Sequence, residues 1–291
     1  MPVSEQTFVA GRLRLAARRW GNPGGLPVMA LHGWLDNAAS FDCLGPLLGA
    51  CDLVCLDLAG HGKSQGRVGM GAYNLWQDLG EIFCVADQLG WERFALIGHS
   101  RGAMIAFLAA GTLPERISHL VLIEGGLPRT ATAEQAPEVL ADSLRALRLA
   151  TARARQFYPG FAEAVAARQQ GLFPLTESDA LLLARHGVVE TDRGFHWSYD
   201  PKLMAGSEVR FSIEQVEAFR RRLTAPTQVI LGLQGFIAQE PEALAWLARS
   251  PEWQQVWLPG DHHLHMHAQC DAVASAIRRH LNIPDDEEGL V

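Results

Sequence analysis

The sequence contains no apolar run approaching the roughly 18 residues needed to cross a bilayer, so no membrane partner is expected. The opening segment, MPVSEQTFVAGRLRL, lacks a basic stretch followed by an apolar run and a small-residue cleavage site, and no secretory leader is expected. Clustered cations are also scarce. The formal net charge is −7, and the one cluster of note, Arg220–Arg222, lies in a helical pattern where a solvated face accounts for it. A phosphate-binding surface needs more than that, so no nucleic-acid partner is expected. Cysteine is sparse and odd in number: five, at 43, 51, 55, 84 and 270, mostly in apolar contexts such as DLVCLDL. These read as reduced core thiols, which excludes a disulfide scaffold and points to a cytoplasmic protein. No internal repeat is present.

What is there suits a soluble globular chain, with 48% hydrophobic and 20% charged residues over 291 positions. That length is large for one domain without an insertion. The first half alternates strand and helix signals, the pattern of a mostly parallel sheet covered on both faces. Strands are expected at Gln6–Val9, Leu13–Arg19, Pro27–Leu31, Leu53–Leu56, Phe94–Ile97 and Leu120–Ile123. The last four are short, unalternating apolar runs, as strands buried on both faces require. Helices are expected at Leu75–Leu89 and Ala103–Ala110. From Leu127 to Arg222 the chain turns helical, with no buried-strand run and with breaks at Pro159-Gly160, Pro174, Gly187 and Pro201. The βα rhythm then returns with strands at Thr227–Leu231 and Gln255–Leu258 and helices at Pro241–Ala248 and Ala268–Leu281. The reading is thus an α/β core over 1–126 and 223–284, a helical cap over 127–222 and a flexible acidic tail over 285–291.

The strongest local signal is Gly98-His99-Ser100-Arg101-Gly102, a G-x-S-x-G between a buried strand and a helix. A sharp strand-to-helix turn strains the serine backbone and exposes its Oγ, while glycines two positions away let neighbouring backbone approach. Helix N-terminal amides then point at a developing oxyanion. Ser100 is therefore the candidate nucleophile. The oxyanion needs two donors: one is assigned to the N–H of Arg101, the other to that of Trp34 in His32-Gly33-Trp34, whose indole could also wall the pocket. In DLAGHGKS, Asp57, His61 and Ser64 are expected to hold a turn through local hydrogen bonds, and His99 is expected to be structural.

The base should follow the last strand, where four histidines occur in GDHHLHMH. Loop position favours His262, with His263 as fallback; His265 and His267 are expected to shape the loop and begin the final helix. HHLHMH could also supply imidazoles to a metal, but that leaves the G-x-S-x-G idle and offers no obvious distant carboxylate, so neither metal nor cofactor is expected. The acid that orients the base would ordinarily follow the strand TQVILG, yet Gly232-Leu233-Gln234-Gly235 holds none. Glu124, at the end of LVLI and on the carboxyl edge of the sheet, is the best substitute. Glu240 is the weaker one.

HGW, DLAGHGKS, GHSRG and GDHHLHM, in this order, resemble the α/β-hydrolase superfamily over essentially the whole chain, and HGWLDNAASFDCLGPLL looks closest to its serine hydrolase-like branch. The resemblance implies an α/β-hydrolase fold: an eight-stranded, mostly parallel sheet with helices on both faces and a helical cap after the sixth strand. It implies Ser100 as nucleophile, His262 as base, and the amides of Trp34 and Arg101 as oxyanion hole; some branches carry their acid at the position matching Glu124. Haloalkane dehalogenases and epoxide hydrolases use an aspartate nucleophile, which Ser100 is not. The expected activity is cofactor-free hydrolysis of a small carboxylic ester by a monomer or homodimer. Thioester, lactone, amide or carbon–carbon bonds could be cleaved on the same triad, and a catalytically silent binding protein is the reading from another class. Cap aromatics, including Phe157, Tyr158, Phe161, Phe195, Trp197 and Tyr199, would either line an apolar pocket, with Trp197 as the substrate-binding candidate, or form the cap's own core.

Overall fold

Alternation decides how the strands are covered. In Pro27–Leu31, Val28 and Ala30 face one apolar layer while Met29 and Leu31 face another, as a two-residue side-chain period requires. The same split recurs at Leu53/Cys55 against Val54/Leu56, and at Val121/Ile123 against Leu120/Leu122. A strand apolar on both sides must be sandwiched, which is why these runs show no polar alternation. In the computed structural model, which describes residues 3–266 and 269–284, they form the centre of one sheet.

Its strands are β1 (Ser4–Ala10), β2 (Leu13–Gly21), β3 (Leu26–Leu31), β4 (Cys51–Leu56), β5 (Phe94–His99), β6 (Ile117–Ile123), β9 (Thr227–Gly232) and β10 (Gln254–Leu258). The spatial order is β1-β2-β4-β3-β5-β6-β9-β10. Pairing is antiparallel for β1/β2 and β2/β4 and parallel elsewhere. The expected eight-stranded, mostly parallel sheet is therefore present. One face is covered by α2 (Gln77–Gln88), α3 (Arg101–Thr112) and α8 (Pro241–Leu247), through residues such as Ile82, Phe107 and Trp246. The other is covered by the short α1 (Leu44–Leu47) and by α9 (Cys270–His280), through Leu44, Val273 and Ile277. The last helix thus starts at Cys270; His267 and Ala268, read as part of its beginning, and the tail 285–291 lie outside the described residues.

Between β6 and β9 run α4 (Ala136–Ala152), α5 (Phe161–Gln169), α6 (Glu177–Gly187), the hairpin β7 (Val188–Thr191) and β8 (Gly194–Trp197), and α7 (Ile213–Arg220). Two features of this segment differ from the sequence reading. The β7/β8 hairpin is antiparallel and turns at Gly194, whose φ of 104° suits glycine. And α7, which the reading placed in the cap, packs Val216 into the main core against α3; a Cβ at Gly111 would lie 2.9 Å from that of Phe219. The cap proper has its own small core of Val165, Leu175, Ala184, Trp197 and Met266.

Candidate active site

Loops after β3, β5, β6, β9 and β10 meet at the carboxyl edge of the parallel strands, where ligands bind in open α/β sheets. The tightest is the turn from β5 into α3. Ser100 sits at its apex with φ 51° and ψ −113°, a conformation disfavoured for a residue with a Cβ. Close packing holds it there. A Cβ on Gly98 would lie 2.4 Å from the Gly102 carbonyl oxygen, and one on Gly102 would lie 2.0 Å from that of Leu31. Both glycines are thus fixed by backbone approach, as the motif requires. The amide of Ser100 donates to the Ile123 carbonyl at 2.9 Å, tying the turn to the end of β6. Arg101 is the first residue of α3, so its amide has no partner within the helix. Its guanidinium turns away, to Asp78 at 2.9 Å and the Tyr73 carbonyl at 3.2 Å.

The β3 loop is held by His32, which donates from Nδ1 to the Gly33 carbonyl at 2.8 Å and accepts the Leu58 amide at Nε2. Trp34 follows, half-buried, with its indole N–H donated to the Leu203 carbonyl of the cap segment at 2.8 Å. In DLAGHGKS, Asp57 accepts the amides of Ala38 and Lys63, and Ser64 donates to the Asp57 carbonyl, so this turn is built by local hydrogen bonds. Its carboxylate also accepts His186 of α6 at 2.8 Å, a tie to the cap that the sequence did not signal.

Glu124, one residue past β6, takes φ 47° and is fully buried. It accepts the amide of Gly232 at 2.8 Å on Oε1, and those of Phe236 at 2.9 Å and Ile237 at 3.4 Å on Oε2. The same Oε2 faces Nδ1 of His262 at 3.2 Å. Of the competing histidines, then, His262 is hydrogen-bonded to Glu124, whereas His263 faces Asp36 of the β3 loop at 3.5 Å. Glu240 stands on the cavity wall at the start of α8. The emptiness of the β9 loop also has a physical cause: a Cβ on Gly235 would lie 2.2 Å from Glu124 Oε1. Space that an acid on this loop would need is filled by the acid from β6. Gly235→Ala should therefore displace Glu124, costing about 1–3 kcal/mol of stability and most of the turnover. A variant with wild-type melting temperature and rate would refute this.

Ser100, Glu124, His262, Trp34 and Arg101 all line one cavity of about 630 Å³ between the sheet edge and the cap. Its remaining wall is largely apolar, with Leu172, Phe173, Met204, Phe211 and Phe236 among the lining residues. Trp197 is not on it. That indole is buried in the cap core and donates to the Ala164 carbonyl at 3.0 Å, so its assignment to substrate binding is corrected. Phe157, Tyr158, Phe161, Phe195 and Tyr199 likewise do not line the cavity. Phe173, which the sequence reading did not single out, stacks on the His262 ring with centroids 4.1 Å apart.

Behind His262 lies a buried cluster of His99, His263, His265 and Asp36. Asp36, His99 and His263 each offer a donor atom within 4.8 Å of the others, the geometry a metal ion could use. A distant carboxylate does therefore reach the histidine loop. Its charge is already met by Arg168, which donates to Asp36 Oδ1 at 2.7 Å, so the group needs no cation to balance it. Burial pushes the imidazoles of His32, His61 and His265 down, and that of His99 down to about 4 despite Asp36 beside it. Between that value and the ordinary 6.5 the unfolded chain binds more protons than the folded one, so stability must fall as pH falls through this window. Asp36 and Asp57, held below the usual carboxylate range by their histidine partners, lose their contribution only at still lower pH. The urea midpoint should drop clearly from pH 7.5 to pH 5. Equal midpoints would show these rings to be protonated in the folded state.

Known proteins share this fold. A family model described as the alpha/beta hydrolase fold matches residues 27–269. Serine hydrolase-like protein 2 of Homo sapiens is 30% identical over 96% of this chain and 94% of its own. A hypothetical protein of Pseudomonas aeruginosa superposes with a TM-score of 0.90 at 40% identity, covering 96% of this chain and 98% of the other. The thioesterase domain from the curacin biosynthetic pathway superposes with a TM-score of 0.80 at 25% identity, covering 95% and 99%. No described helix is long and apolar enough to cross a membrane. The chain belongs to the α/β-hydrolase family, as a hydrolase of its serine hydrolase-like branch.

Proposed function

We propose that the protein hydrolyses carboxylic esters of small, largely apolar molecules through an acyl-enzyme on Ser100. His262 takes the serine proton as Oγ attacks the carbonyl carbon, and Glu124 holds the imidazole in the Nδ1–H tautomer and stabilises the imidazolium. The amides of Trp34 and Arg101 receive the oxyanion. The alkoxide leaves with the proton from His262. Water, deprotonated by the same ring, then releases the acid. No cofactor or metal enters these steps. The observation that carries the reading is the convergence on one cavity of a strained, helix-capping serine and a histidine held on a buried carboxylate. The apolar wall of Leu172, Phe173, Phe211 and Phe236 favours an uncharged group against it, although Arg129, Arg210, Glu240 and Glu242 also line the cavity. Thioesters are the second reading, favoured by the likeness to the curacin thioesterase domain. The free thiols Cys51, Cys55 and Cys270, buried and unbridged, fit a reducing, cytoplasmic setting, and a monomer or homodimer suffices for a site built within one chain.

The test is an intact-mass measurement after incubation with a fluorophosphonate, with Ser100→Ala alongside. One adduct per chain, lost in Ser100→Ala, is expected. A folded wild-type protein that takes up none would count against an activated serine and for a silent binding role.

A further inference from the structure

The cap does more than roof the cavity: its segment from Arg168 to Phe173 touches the base through Phe173 and reaches the residues behind it through Asp36. On one side the Phe173 ring lies on His262, centroids 4.1 Å apart and planes within 25°. On the other, the His262 carbonyl accepts the Nε2–H of His99 at 2.8 Å. Nδ1 of His99 faces Asp36 Oδ2 at 3.6 Å, and the other oxygen of Asp36 accepts Arg168 at 2.7 Å. Arg168 also donates to the Phe173 carbonyl at 3.3 Å, which closes the circuit. The side chains of Asp36 and His99 are 1% and 0% exposed, and that of Arg168 is 13% exposed, so water screens these contacts little.

We propose that Arg168 and Phe173 are positioning residues for His262, so that the base is set only while this part of the cap is seated. The inference rests on the assignment of His262 as base. The reason is mechanical. Glu124 holds the ring through one hydrogen bond of 3.2 Å at Nδ1, which leaves the ring free to swing about that contact. Phe173 fixes the ring plane, and His99, donating to the His262 carbonyl and packed beside Asp36, fixes the main chain that carries it. Were the segment to lift, the stack would be lost and Asp36 would be left as a buried charge without its cation. Base position and cap seating thus share the same residues. Phe173 also lines the cavity, whereas Arg168 and Asp36 do not, so Arg168 separates positioning from substrate contact.

The experiment compares wild type, Arg168→Gln, Arg168→Lys and Phe173→Leu. Three readings are taken: fluorophosphonate labelling rate, kcat and KM on p-nitrophenyl butyrate, and the ¹⁵N resonances of the His262 ring, assigned with His262→Ala. In Arg168→Gln, kcat and the labelling rate should fall together by about 10²-fold, the scale of a small misplacement of a reacting group, with KM unchanged. The His262 resonances should shift or broaden, and Arg168→Lys should recover most of the loss. A folded Arg168→Gln with wild-type kcat and an unmoved His262 overturns the proposal, as does a loss confined to KM. If Arg168→Gln fails to fold, Phe173→Leu decides by the same kcat and resonance criteria. Wild type that is never labelled would tell against Ser100 as nucleophile. The His262 spectra of wild type and variants would then decide the positioning claim without reference to turnover.

Discussion

Replacing Ser100 with alanine should lower kcat on any ester the protein turns over by about 10⁶-fold, the scale seen when a triad serine is removed, and should leave the fold intact. Alanine keeps the Cβ and therefore the same strain at φ 51°, and the bonds from Ser100 N to Ile123 and from Ala103 to Ser100 O are main-chain bonds that survive. Melting temperatures should consequently match, whereas Ser100→Gly should be more stable by about 1–3 kcal/mol as the strained backbone relaxes. The residue of rate left in Ser100→Ala would come from the amides at Trp34 and Arg101 and from binding, because these do not depend on the hydroxyl. Adding His262→Ala to Ser100→Ala should cost almost nothing further, since the two act as a unit. Initial rates at saturating substrate, with protein concentration taken from intact mass, give the comparison. Turnover within tenfold of wild type in Ser100→Ala would remove the acyl-enzyme from consideration.

Much of this architecture is local information. The elbow is legible because backbone crowding at Gly98 and Gly102 leaves no room for a side chain, and such a constraint must appear in the sequence as glycine. The central strands are legible because burial on both faces demands unbroken apolar runs, as in VMAL and LVLI. Other features depend on distance along the chain. Asp36 meets His99 and Arg168, and Phe173 meets His262; each is an ordinary residue in its own segment, and no spacing rule marks it. The β7/β8 hairpin did carry a signal in Asp192-Arg193-Gly194, but its strands are four residues each and mostly half-buried or exposed, so no apolar alternation stands out. The cap aromatics show the reverse error. Their apolar character is clear in sequence, but only packing tells that Trp197 turns inward to the cap core and away from the cavity.

The acid joins these two kinds of information. An acid is missing from the β9 loop in the sequence, and the structure supplies the reason, since Glu124 fills the volume above Gly235. Glu124→Gln should lower kcat by about 10⁴-fold, the loss expected when the imidazole takes the wrong tautomer. The carboxylate accepts on every side: from Gly232 on Oε1, and from Phe236, Ile237 and His262 on Oε2. A glutamine must set its NH₂ against one of these groups. Set toward His262, it donates to Nδ1 and forces the proton onto Nε2, where the ring can no longer accept from Ser100. Set toward Gly232, it faces an amide donor and leaves a buried N–H unmet, costing about 1–3 kcal/mol. The first also sets that NH₂ against the amides of Phe236 and Ile237, so both orientations cost stability, but only the first loses the tautomer that the chemistry needs. Glu124→Gln should therefore melt below wild type whichever way the amide is set, and the full loss of kcat marks the orientation toward His262. KM should change little in either case, because only the carboxylate edge, at the base of the cavity, is altered. Near-wild-type kcat together with near-wild-type stability would mean that His262 is oriented by another group, and Glu240→Gln would be the next variant to measure.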